Sequence, residues 1–328
     1  MGMMRLHLNG QALFFGLAAA LLAGCGGPTG APGAMPWSAL PAGGAGRAGS
    51  WVSPEAKSRD LLYVSTNDRV VYVFDYPQGR LVGELTHFLQ PEGLCSDSAG
   101  NVFITDKQNL EIFEYAHGGK TPIKTLVDNV YGAPGGCAVD PKSGDLAVTN
   151  PLGSAGYGNV VIYKRATGEP KAYYSRTSVQ NAFEFCSYDD KGNLFITTAT
   201  SNYFYRLAKG AKQLTPIAVM GPGIIYEPTG VQWHKPYFVV GDQYFDDQPQ
   251  SGVYQLSVSR NFARIRGSIL LTGSSRYVSQ FTMQGHQLIA PDEINNDVAL
   301  YNYPLGGPAF KMIGVNEPIG TTISLGSR

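Results

Sequence analysis

The chain has 328 residues, with 25 Lys plus Arg against 25 Asp plus Glu and a formal net charge of zero. No basic stripe stands out, which argues against nucleic acid or an anionic membrane surface as the main partner.

Arg5 and His7 precede an apolar run over 12–23 that is too short to span a bilayer, the pattern of a signal peptide over 1–24. The run ends Leu22-Ala23-Gly24-Cys25, and this resembles the lipobox of bacterial lipoproteins. The resemblance implies that the Cys25 thiol carries a diacylglycerol and becomes the mature N-terminus, with acyl chains such as palmitate as the anchor. Acyl chains contribute about 0.8 kcal/mol per buried methylene, and two or more hold a protein stably on a membrane. An ordinary secretory signal that happens to end near a cysteine is the alternative. Gly26 rather than Asp follows the cysteine, resembling an outer-membrane address. The expected location is the bacterial cell envelope, at the outer membrane or cell surface rather than the inner membrane. Residues 25–58 are rich in Gly, Ala and Pro with isolated Trp37 and Trp51, the composition of a tether.

Residues 59–328 carry a repeat. The phrases LLYVST, NVFITD, DLAVTN, NLFITT, YFVVGD and QLIAPD place Val64, Ile104, Val148, Ile196, Val240 and Ala290 at equivalent positions, roughly 40 to 50 residues apart. Most copies follow a second phrase, as in PEGLCSD from Pro91, PGGCAVD from Pro134 and PTGVQWH from Pro228. These are the second and first strands of one unit. The opening copy at Leu61 has no first strand before it, and PIGTTISL from Pro318 is a first strand with nothing after it. A third strand follows in each unit, with Tyr72, Tyr115, Tyr163, Tyr205, Tyr254 and Tyr301 marking contacts between units; a fourth is faint. The pattern predicts an all-β fold: a six-bladed β-propeller of four-stranded antiparallel blades, closed by the C-terminal strand joining the N-terminal blade.

Besides Cys25, three cysteines lie on first strands. Cys137 and Cys186 share one position in neighbouring units and should not face each other. Cys95 lies one residue further along, so it either meets Cys137 or points away from it. Buried reduced thiols are the expected state.

Starts of first strands and ends of second strands lie on one face, so Glu92, Glu184, Glu227, Asp106, Asn150, Asp242 and Asp292 are expected at one channel mouth. That concentration of oxygens suits a hard cation such as calcium or a polar ligand. The competing reading is structural, because Asp, Asn or Thr at the end of the second strand recurs in most units and caps the following turn. No Gly-x-Ser-x-Gly, His-Glu-x-x-His, Walker loop or Cys-x-x-Cys occurs.

The phrase Pro-x-Gly, apolar run, Asp-x-x-Gly-Asn, apolar run, Asp is clearest over 91–106, then 134–150 and 182–198, and resembles the NHL repeat. The resemblance implies the broad propeller group that includes gluconolactonase-like lactonases and strictosidine synthase-like hydrolases. Lactonases of that group bind a divalent metal at the channel mouth. By position in the repeat, Glu92, Asn150 and Asp242 would be the ligands here, although the usual Gly-Glu-x-Pro-x-Trp motif is absent. Without a complete catalytic set, the leading expectation is a non-enzymatic, monomeric scaffold that binds an envelope protein, peptide or glycan. A divalent-metal-dependent lactonase or hydrolase is the alternative.

Overall fold

The computed structural model describes residues 49–326 apart from 155–156, 176–181, 200–203 and 274–276. The signal peptide, Cys25 and most of the 25–58 tether lie outside the described residues.

The repeated phrase forms the most buried strand of each unit. Leu61–Thr66, Val102–Asp106, Leu146–Asn150 and Leu194–Thr198 are buried at every position, and Tyr237–Asp242 and Gln287–Asp292 at all but the first. Both faces of these strands are therefore covered, so apolar side chains fill odd and even positions alike. Each Val, Leu or Ile so enclosed contributes about 1.5–3 kcal/mol of burial free energy.

The described residues contain no α-helix, and the strands are grouped in antiparallel sets. In the second set, Pro91–Ser96, Val102–Asp106, Glu111–Tyr115 and Pro122–Val127 pair in that order. The third set starts at Cys137–Val139 and the fourth at Phe183–Tyr188, each followed by three more strands. The fifth starts at Pro228–His234 and the sixth at Thr282–Gln284. The outer strands of the fourth and fifth, Thr215–Met220 and Phe262–Thr272, pair in parallel and fuse these two into one sheet. In the first set, Pro318–Ser324 pairs antiparallel with Leu61–Thr66, aligning Leu61 with Ser324 and Thr66 with Pro318.

Apolar side chains gather in six clusters, each between two neighbouring sets. One joins Tyr63 and Val73 to Leu94 and Ile104; another joins Leu62 and Val64 to Ile289 and Leu300. Tyr115, Tyr163, Tyr205, Tyr254 and Tyr301 are all buried in these clusters.

The cysteines depart from expectation. Cys95 and Cys137 form a disulfide with their Cα atoms 5.7 Å apart, while Cys186 remains a buried free thiol. A register shift between Pro91 and Leu94 sets the phase of the strand, and Cys95 then faces the neighbouring set, where Cys137 lies. Burial pushes the Cys186 thiol far up, so it stays protonated and acts as a small apolar group.

Candidate binding recess at the ends of the first strands

The Pro-x-Gly phrase acquires its meaning where first strands of adjacent sets meet. A Cβ on Gly93 would lie 2.5 Å from the Gly135 carbonyl oxygen, and one on Gly136 would lie 2.7 Å from that of Glu184. A Cβ on Gly230 would be 2.8 Å from the Ser279 carbonyl oxygen. Glycine is therefore required because backbone packs on backbone. Hydroxyls complete the junctions. Ser65 donates to the Glu92 carbonyl (2.6 Å), Thr105 to Gly135 (2.6 Å), Thr149 to Glu184 (2.7 Å) and Thr197 to Thr229 (2.9 Å). Each stands one residue before the polar stop of a second strand, and this belt is a recurring pattern the sequence reading overlooked. Phe185 and Gln280 replace glycine in the fourth and sixth sets. The Gln280 amide reaches over Gly320 to bond Leu94, accepting from its N–H and donating to its carbonyl, each at 2.8 Å.

Beside these junctions lies a recess of about 420 Å³ whose lining includes Asn67, Glu92, Glu184, Glu227, Gln243 and Glu293. The first strands deliver Glu92 and Glu184, and the segment leading into one delivers Glu227. Asn67, Gln243 and Glu293 each follow the polar stop of a second strand. Successive side chains of a strand point to opposite sides. The stop residue thus turns inward to the loop, and its successor turns outward to the recess.

The aspartate stops are accordingly occupied with backbone. The Asp106 carboxylate accepts from the N–H groups of Leu89 (2.9 Å) and Gln90 (2.8 Å), and Asp242 accepts from those of Tyr226 (3.0 Å), Glu227 (2.9 Å) and Tyr244 (3.0 Å). Asp292 accepts from Ile294 and Asn295, both at 3.1 Å. Asn150 donates to Asn159 Oδ1 at 3.0 Å beneath the loop of the third set. The structure thus gathers Glu92, Glu184 and Glu227 at one recess and places Asp106, Asn150, Asp242 and Asp292 outside its lining. Among the described residues, no three His, Cys, Asp or Glu are arranged to hold a metal.

Charge in the recess is one-sided. Lys107 Nζ pairs with Glu92 Oε1 at 2.9 Å, and Gln90 donates to the same oxygen at 3.1 Å. Burial raises the Glu184 carboxyl above its ordinary value; Lys107 opposes this and Glu92 adds to it. Glu293 is raised by burial and by the nearby Glu317, with the Asn67 amide, 2.7 Å from its Oε1, pulling the other way. Two carboxylates held at a cost in one concave site favour an incoming positive charge.

No family model matches this sequence, and no curated protein matches it. Solved structures do resemble the fold. A chain from the crystal structure of a nidogen/laminin complex superposes with a TM-score of 0.64 at 16% identity, covering 82% of this chain and 99% of that one. A protein of unknown function from Bacteroides caccae gives a TM-score of 0.61 at 13% identity, covering 81% and 99%. At such identities the likeness speaks for fold alone, and the fold is a β-propeller.

Proposed function

We propose that the chain is a lipid-anchored scaffold of the bacterial cell envelope, a six-bladed NHL-like propeller whose acidic recess docks a basic segment of an envelope protein or peptide. The observation that carries this reading is the recess itself. Glu92, Glu184, Glu227 and Glu293 share it, and among the described residues Lys107 pairs with one of them. Six apolar clusters and the pairing of Pro318–Ser324 with Leu61–Thr66 support the ring of six closed by its C-terminal strand. The Cys95–Cys137 disulfide suits an oxidising compartment outside the cytosol. Docking needs no reacting group, in keeping with a non-enzymatic role.

A photo-crosslinking residue placed at Gln243 in cells tests the docking. The expected adduct joins the recess to a Lys- or Arg-rich segment and weakens in E92Q/E227Q. An adduct with an acidic or uncharged segment, indifferent to those substitutions, contradicts it. The anchor is tested separately, since Cys25→Ser should move the protein from the membrane fraction to the soluble fraction.

A further inference from the structure

Asp128 follows the outer strand Pro122–Val127 of the second set, and its side chain turns inward against the third. It is 1% exposed, and neither carboxylate oxygen has a hydrogen bond of normal geometry, although the Asn150 amide lies close enough to favour its charged form. Asn150, whose side chain stands against this carboxylate, is also fully buried, and its Oδ1 has no donor either. A buried oxygen left unmatched costs about 1–3 kcal/mol, and more when it is charged. Three in one place call for a group that the described residues do not supply.

The surroundings explain the missing donors. The Tyr131 carbonyl can only accept, so it takes Asn159 Nδ2 at 2.7 Å; this turns Asn159 Oδ1 toward Asn150 Nδ2, 3.0 Å away. The amides are thus oriented in sequence from a fixed acceptor, and the relay ends on an oxygen. Gly132 and Gly153 press the loops onto these amides: a Cβ on Gly153 would lie 2.6 Å from Asn159 Nδ2, and one on Gly132 would lie 3.0 Å from Asn150 Cβ. The titratable neighbours are Tyr131, Tyr163 and Tyr174, with Glu169 beyond them. Among the described residues, no Lys, Arg or His pairs with Asp128.

We propose that Asp128 and Asn150 form an oxygen-only site for a hard cation, enclosed between the second and third sets. A donor set of carboxylate and amide oxygens, without nitrogen or sulfur, is the chemistry of sodium or calcium rather than of a transition metal. A proton on Asp128 would match only two of the three oxygens, its own and one acceptor; a cation can match all three. The site stands apart from the acidic recess and does not depend on how that recess is used.

Thermal melting of the intact protein, freed of metal by chelator and held in choline chloride, tests this with separate sodium and calcium additions at constant ionic strength. One ion should raise the wild-type melting temperature by about 5 °C at a hundredfold excess over its Kd. The shift should vanish in D128N and persist in E92Q/E184Q. If D128N does not fold, N150A carries the same measurement. The proposal is overturned if neither ion moves the wild type, which would make Asp128 a buried neutral acid, or if the shift survives in D128N.

Discussion

Gly93 and its counterparts are where single residues decide whether the sets can approach. Gly93→Ala forces a Cβ to within 2.5 Å of the Gly135 carbonyl oxygen and 2.7 Å of the Gly136 Cα. Neither contact is a flexible side-chain end, so chemical denaturation should show a loss of about 2 kcal/mol or more. Gly314 also lies in a strand, but a Cβ there meets nothing within 4 Å. Gly314→Ala should stay within about 0.5 kcal/mol of wild type. Glu184 gives a pH test. Its folded pKa is raised, so between the unfolded value, near 4.5, and the higher folded one the native state holds a proton that the unfolded state has released. Stability from this group is therefore full below 4.5 and is lost as pH rises through the folded value. Denaturation midpoints should show Glu184→Gln gaining on wild type between pH 4 and pH 7. At this scale, three of the seven residues expected at one mouth, Glu92, Glu184 and Glu227, line the recess, and the other four do not. Asp106, Asn150, Asp242 and Asp292 are conspicuous because they recur, and the three aspartates recur because their loops need amides capped. The recess is lined instead by their successors, among them Asn67, Gln243 and Glu293, which share no residue type and leave no repeat to read.

Strands were legible in proportion to their burial. Second strands are enclosed on both faces and read as unbroken apolar phrases. Outer strands such as Pro122–Val127 and Thr215–Met220 have exposed residues at most positions, so their pattern is only faint in the sequence. The cysteine bridge was half legible: the one-residue offset put Cys95 on the opposite side from Cys137 and Cys186, but spacing alone does not say which side faces the neighbour. The disulfide closes a sequence separation of 42. Replacing both Cys95 and Cys137 by serine should cost about 2–4 kcal/mol. Reductant should lower the melting temperature of wild type and leave the double variant unchanged. Among the described residues, Pro318–Ser324 is the hydrogen-bonded neighbour of Leu61–Thr66 on that side. Truncation after Asn316 uncovers that buried strand along its length. The truncated chain should lose its cooperative unfolding transition, with circular dichroism as the readout.

For the molecule as a whole, zero net charge conceals a local excess. Glu92, Glu184, Glu227 and Glu293 converge on one recess. Under the proposed docking, attraction of a basic segment would act over about one Debye length, close to 10 Å at 0.1 M salt, and would shrink as salt rises. Overall composition therefore pointed away from nucleic acid while remaining silent about a charged site, because summation over 328 residues erases a cluster of four.

Isothermal titration of the purified protein with a lysine-rich peptide, in low and high salt, tests the docking claim most directly. Binding should weaken at least tenfold at high salt and disappear when Glu92, Glu184, Glu227 and Glu293 are all replaced by Gln in a variant that still folds. Equal binding by that variant, or equal affinity for a glutamate-rich peptide of the same length, would contradict it.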